Sequence, residues 1–104
     1  MVKQMQKIKP NEINLIVFTE APRARAKFVK DYEKKIAEDD ISVVNHTIRQ
    51  LVDRAGQVYR YVVINSMSDA YRFDGYRIST IQYVDHVPQA EVLDYLRARK
   101  AVPA

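Results

Sequence analysis

The sequence has 104 residues, of which 47% are hydrophobic and 29% are charged, and this balance predicts one small globular domain. It contains no cysteine, which excludes a disulfide framework and a thiolate metal site. No stretch approaches the roughly 18 apolar residues of a membrane helix. The formal net charge of +4 suits an anionic partner such as nucleic acid and is equally typical of a mildly basic protein surface.

The N-terminal segment MVKQMQKIKPNE carries no long apolar run, so it does not have the pattern of a signal peptide. We expect residues 1–12 to form a polar arm, residues 13–100 a single α/β domain and residues 101–104 a short tail. The absence of cysteine and of a signal peptide favours a cytoplasmic location.

The first predicted strand is the continuous apolar run INLIVF, Ile13 to Phe18. A run of this length and composition is typical of a strand that is buried on both faces, as in a parallel sheet. Pro22 is tolerated in the first turn of a helix, and we expect that helix to extend from about Arg23 to Glu38. Its predicted buried stripe consists of residues spaced four apart, Ala24, Phe28, Tyr32 and Ile36.

Two extended segments follow, Ile41 to Val52 and Gln57 to Ser66, separated by the tetrapeptide DRAG. Gly56 lies where a turn requires a positive φ angle, so we expect a β-hairpin or a β-meander. A short helical turn is predicted to begin with Ser66 or Ser68 as its N-cap and to end near Gly75.

A further strand is predicted from Ile78 to Asp85, and a last helix from Pro88 onward, with Val92, Leu93 and Leu96 facing inward. The predicted order is therefore β-α-β-β-(short α)-β-α. This alternation indicates an α/β fold of two or three layers around a mixed, mostly parallel sheet.

One motif lies between the first strand and the first helix, the segment APRARAKF at residues 21–28. A phosphate-binding loop, G-x-x-x-x-G-K-[ST], occupies the same context, and Lys27 lies where the loop lysine would be. Asp85 ends an apolar strand as a Walker B aspartate does, and the preceding turn RFDGYRI is similar to a turn in terminase-like ATPases. Over residues 13–86 the chain resembles a degenerate P-loop NTPase core of the terminase or helicase type.

The chain departs from that family at the positions that carry its catalysis. Ala21 and Ala26 replace the two glycines that let backbone N–H groups approach the phosphates. Phe28 replaces the hydroxyl that would hold Mg²⁺, and His86 replaces the glutamate that often follows Asp85. The resemblance thus implies a P-loop-like scaffold without catalytic residues and without a cofactor. The alternative is a basic, proline-initiated helix unrelated to phosphate loops.

Other catalytic chemistries have little support in the sequence. His46 and His86 are the two histidines, and isolated histidines are more often structural than catalytic. No serine lies in a G-x-S-x-G turn. A nuclease-type Mg²⁺ site would require distant carboxylates to gather, and their spacing gives no indication of it; the candidates are Glu20, Asp69, Asp74 and Asp85. No metal site is predicted.

Basic and aromatic residues provide the candidate binding sites. Arginines interleaved with tyrosines suit phosphate contacts and base stacking, and the same residue types are enriched at protein interfaces. We predict anion or nucleic-acid contacts at Arg23, Arg25, Lys27, Arg60, Arg72 and Arg77, and stacking or interface roles for Tyr59, Tyr71 and Tyr76. Alternatively, strand periodicity turns Tyr59 and Tyr61 toward the core and Arg60 toward solvent.

The expected function is that of a non-catalytic binding or accessory protein, acting on nucleic acid or on a partner protein, and it would suit a regulator from a phage or a mobile element. One alternative is a protein-only interaction module that forms homo-oligomers such as a dimer through an exposed sheet edge. Another is an ATPase or a metal-dependent nuclease completed by a partner subunit.

Overall fold

The computed structural model describes residues 12–100. Glu12, predicted as the end of the arm, is the first residue of β1, whereas the rest of the predicted arm and the tail at 101–104 lie outside the described residues. The elements in chain order are β1 (Glu12–Phe18), α1 (Ala21–Ala37), β2 (Val43–Asn45), β3 (Gln50–Val52), β4 (Val58–Val63), α2 (Met67–Ala70) with a 3₁₀ turn (Tyr71–Phe73), β5 (Arg77–Tyr83) and α3 (Ala90–Arg97).

The five strands form one mixed sheet in the order β2-β3-β4-β1-β5. β1 is central and pairs in parallel with both β4 and β5, while β2, β3 and β4 form an antiparallel meander. The central position explains the apolar run, because Ile13 to Phe18 are all buried between two layers. The prediction of a mostly parallel sheet was wrong: two strand pairings are parallel and two are antiparallel.

α1 covers one face of the sheet. Its buried residues Ala24 and Phe28 pack with Ile16 and Phe18 of β1 in a cluster that also contains Leu51 and Tyr61. Tyr32 is half-buried there, but Ile36 is 52% exposed. A spacing of four residues advances about 40° around a helix at each step, so Ile36 lies about 120° from Ala24 and leaves the buried face.

The opposite face of the sheet is covered by α2 and α3. Ile13, Leu15 and Val17 of β1 pack there against Val92 and Leu96 of α3, and the cluster continues through Ala70 and Phe73. The predicted inward orientation holds for Val92 and Leu96, while Leu93 is half-buried. The domain thus has three layers, with the sheet between α1 and the α2–α3 pair.

The turns explain where the predicted strands differ from the observed ones. The predicted strand Ile41 to Val52 is interrupted by a tight turn, in which the Asn45 side chain accepts hydrogen bonds from the Thr47 and Ile48 N–H groups. Arg49 completes this turn at φ 52°. The predicted second turn is present, with Gly56 at φ 90° and its N–H bonded to the Asp53 carbonyl.

The C-terminal half follows the predicted order. Ser66 is the N-cap of α2, and its hydroxyl accepts a hydrogen bond from the Asp69 N–H. β5 ends at Tyr83, two residues before the predicted end at Asp85.

Candidate functional site

The segment that resembles a phosphate loop is helical. α1 begins at Ala21 with Pro22 in its first turn, so only Thr19 and Glu20 connect β1 to the helix. Lys27 lies in the second turn, and its amine contacts the Asp31 carboxylate at 3.1 Å. β5 lies directly beside β1 and parallel to it, which is a possible arrangement for a Walker B strand. The resemblance to P-loop NTPases stays a prediction.

Asp85 lies just after the end of β5 and binds the connection between β1 and α1. Its carboxylate accepts the Thr19 N–H at 3.1 Å, the Thr19 hydroxyl at 2.9 Å and the N–H of His86 at 2.9 Å. Partial desolvation acts to raise the pKa of Asp85, but these hydrogen bonds to the charged form outweigh it and lower the pKa below its ordinary value. Asp85 therefore ties the two strand ends together.

We expect Asp85→Asn to destabilise the domain at neutral pH and much less in acid. Because the folded-state pKa lies below the unfolded-state value, the stabilisation is present above that unfolded value and is lost as pH falls through the folded-state pKa. Urea midpoints of wild type and variant, measured at about pH 7 and about pH 3, test this. An equal difference between the two proteins at both pH values would contradict it.

The three basic residues predicted at the start of α1 do not converge on one site. Arg23 contacts Glu20 at 3.5 Å, and Lys27 is paired with Asp31 further along the helix. Arg25 is exposed on another side of α1, beside Pro22 and Val29. Two of the three charges are thus already matched by carboxylates.

The two tyrosines of β4 and its one arginine, Arg60, lie on opposite faces of the sheet, as strand alternation requires. Tyr61 is buried under α1, and its hydroxyl donates to Asp31 at 2.6 Å. Burial, together with this hydrogen bond, raises the pKa of Tyr61 above its ordinary range. Tyr59 is half-buried beside it, with the Lys35 amine 5.6 Å from its ring centre. Arg60 points to the other face, where it contacts Tyr76.

The remaining predicted residues lie between the 3₁₀ turn after α2 and the start of β5. Arg77, at the start of β5, contacts Glu12 at 3.7 Å. Tyr71 is 55% exposed and packs edge-on against Tyr95 of α3. Tyr76 packs against Phe73 in the core of this face. Arg77 is thus separate from Arg72, which lies in the 3₁₀ turn.

One cleft brings arginines together from three parts of the chain, and we refer to it as the arginine cleft. It has a volume of about 270 Å³ and lies between the β2–β3 turn and the α2 region, with β4 between them. Arg49 comes from the turn, Arg60 from β4 and Arg72 from the 3₁₀ turn after α2. Arg60 and Arg72 were predicted, whereas Arg49 was not.

Two of these arginines are held in place by neutral groups. Arg60 donates from Nε and Nη2 to the Gln50 side-chain oxygen at 2.9 and 2.7 Å. Arg49 donates from Nε to the Tyr61 carbonyl at 3.1 Å. Arg72 is exposed. Because a guanidinium has five N–H donors, Arg49 and Arg60 retain donors for a ligand.

The arginine cleft has an excess of positive charge. Within residues 12–100, none of its three arginines has a carboxylate within 4.0 Å. The acidic residue in its lining is Asp69, whose carboxylate accepts the Asn65 N–H at 2.9 Å. Such a site is suited to bind an anion.

The acidic residues considered for a metal do not gather. Across the described part of the chain, no group of three or more His, Asp or Glu side chains is placed to hold an ion. Asp74 precedes β5 and is bound by Arg99 at 2.8 Å, whereas Asp85 follows the other end of that strand. His46 packs edge-on against Phe28 and Tyr32.

Comparisons with known proteins give no relative for this chain: no family model, no curated protein and no solved structure matches it significantly. Among the helices formed by residues 12–100, none combines the length and the hydrophobicity needed to cross a membrane.

Proposed function

We propose that this protein is a non-catalytic nucleic-acid-binding or accessory protein whose contact surface is the arginine cleft. The observation that supports it is the meeting of Arg49, Arg60 and Arg72 in one cleft without a carboxylate partner among residues 12–100. The planar guanidinium of arginine presents pairs of N–H donors, and such a pair can bind two oxygens of one phosphate group.

The net charge of the chain supports the same proposal. A formal charge of +4 attracts a polyanion and speeds its association. Contacts with phosphates release bound counterions, which supplies affinity without any sequence preference. We therefore place the nucleic-acid backbone, and not a particular base sequence, at the arginine cleft.

We include the resemblance to P-loop NTPases in this proposal only as a possible origin of the fold, and not as a source of nucleotide binding. The parallel neighbours β1 and β5, and the contact of Asp85 with Thr19, are features that such a scaffold would keep. The short β1–α1 connection leaves no loop around a triphosphate at residues 21–27. Binding by the arginine cleft does not depend on this ancestry.

The test is a titration of the protein with fluorescent single-stranded and double-stranded oligonucleotides of about 20 units, followed by anisotropy. Two to three phosphate contacts give a salt slope of about −1.4 to −2 for a single strand, so affinity should fall roughly seven- to twentyfold between about 50 and 200 mM salt. Absence of binding to every oligonucleotide, or binding that salt does not change, would refute the proposal.

A second candidate function, self-association, is favoured by apolar residues on the outer side of α1. Val29 is 41% exposed and Ile36 52% exposed, and they lie two helical turns apart on the same side. An exposed apolar stripe on a helix is a candidate contact between two copies of a chain. A sedimentation measurement distinguishes this function, because a dimer held by apolar contacts changes little with salt.

A further inference from the structure

We propose that the arginine cleft binds single-stranded nucleic acid, with the Arg60 guanidinium acting as a stacking platform for one unpaired base and Arg49 and Arg72 binding the adjacent phosphates. This inference rests on the proposed function and deepens it, since it assigns different roles to three residues of the same charge.

The surroundings of Arg60 support a platform. Its guanidinium carbon lies 5.3 Å from the ring centre of Tyr76, and two of its nitrogens hold the Gln50 side-chain oxygen. Arg60 is part of the cleft lining, and its guanidinium packs over the Tyr76 ring. The group is thus fixed before a ligand arrives, which lowers the entropic cost of stacking on it.

The other two arginines have different surroundings. Arg49 lies in the β2–β3 turn and uses one N–H to bind the Tyr61 carbonyl, and Arg72 is exposed in the 3₁₀ turn across the cleft. Neither contacts an aromatic ring among the described residues. Their positions on the two walls fit phosphates on either side of a bound base.

The accessibility of the base faces distinguishes a single strand from a duplex at this cleft. The cleft has a volume of about 270 Å³, which leaves room for a small planar group such as one base. Apolar contacts for such a group are available from Ile48 and Phe73 in the lining. The base faces of a duplex are stacked on each other and cannot reach a guanidinium plane, whereas those of a single strand can.

The experiment measures the affinity of the full chain for a fluorescent oligothymidine of about 20 nucleotides and for a duplex of equal length, at constant salt. We expect the single strand to bind about tenfold more tightly. Arg60→Lys keeps the charge but removes the plane, and it should weaken single-strand binding about tenfold while changing duplex binding less than about twofold. Arg97→Lys is the matched control, because it makes the same exchange at an exposed residue of α3 outside the arginine cleft, and it should change both affinities by less than about twofold.

The possible results distinguish failure of this inference from failure of the proposed function. A duplex that binds as tightly as the single strand overturns this inference but leaves the proposed function intact, and so does equal loss in the two lysine variants. Failure of the wild-type chain to bind either oligonucleotide refutes the proposed function itself. The wild-type comparison needs no variant, and the thermal unfolding of Arg60→Lys shows whether its effect comes from misfolding.

Discussion

Simultaneous replacement of Arg49, Arg60 and Arg72 by glutamine should weaken the binding of single-stranded nucleic acid by about a hundred- to a thousandfold. Two hydrogen bonds to charged groups at about 1.5 kcal/mol each and one stacking contact at about 1 kcal/mol sum to about 4 kcal/mol, which corresponds to about a thousandfold in affinity. Glutamine keeps the polarity and much of the length of each side chain. Oligonucleotide anisotropy at one salt concentration gives the loss of affinity, and a salt series should show that the magnitude of the salt slope falls by about 1.4 to 2 units, for two to three phosphate contacts.

The matched control removes three positive charges from α1. Arg25, Lys30 and Lys34 are exposed, and none of them is in an ion pair among residues 12–100. Their replacement by glutamine changes the net charge by the same amount as the cleft variant. We expect less than about a fivefold effect, because only general attraction is lost. If both triple variants lose the same affinity, the arginine cleft is not the binding site.

The largest expected effect on stability is that of Leu15→Ala. Leu15 is fully buried in the middle of β1, in the cluster formed with α2 and α3. Large-to-small substitution at such a site removes transfer free energy and leaves a cavity, at a cost of about 3–5 kcal/mol. Most domains of this size are stable by only about 5–15 kcal/mol, so the melting temperature should fall by about 15 °C or more.

Ile36→Ala provides the comparison for that substitution. Both changes shorten a large aliphatic side chain, but Ile36 is 52% exposed on the outer side of α1. We expect a change of less than about 0.5 kcal/mol in the free energy of unfolding, measured with urea. Equal destabilisation by the two substitutions would mean that the described core is not the one that stabilises the protein.

The strands and helices that carry strong periodic or apolar patterns could be predicted from sequence. INLIVF predicted the central strand because a run that is apolar at five of six positions is typical of a strand covered on both faces. The β2–β3 turn was missed because it contains neither glycine nor proline. It depends on Asn45, whose side chain bonds to the backbone two and three residues later.

The candidate site was harder to predict than the fold. Arg60 and Arg72 were recognised because they alternate with tyrosines, but Arg49 precedes β3 and has no aromatic neighbour in the sequence. Its place in the arginine cleft depends on the unpredicted turn. The basic residues of α1 matched a recognisable sequence motif more closely than the arginines of the cleft did. In the helix, however, Arg25 lies on a different side from Arg23 and Lys27. The local sequence pattern therefore indicated which types of residue would bind, but it did not indicate which of them lie on the same surface of the fold.

The central position of β1 has a consequence for how this chain folds. Ile16 of β1 lies between Tyr61 of β4 and Gln82 of β5. The strand that contributes to both core layers is therefore paired with strands distant from it in the sequence. Pairing β1 with β4 and β5 closes long loops, which costs chain entropy before the stabilising contacts form. The β2–β3–β4 meander closes only short loops. A topology of this kind folds more slowly than a helical bundle of equal size. The meander can therefore form early, but the core is completed only when β1 joins β4 and β5.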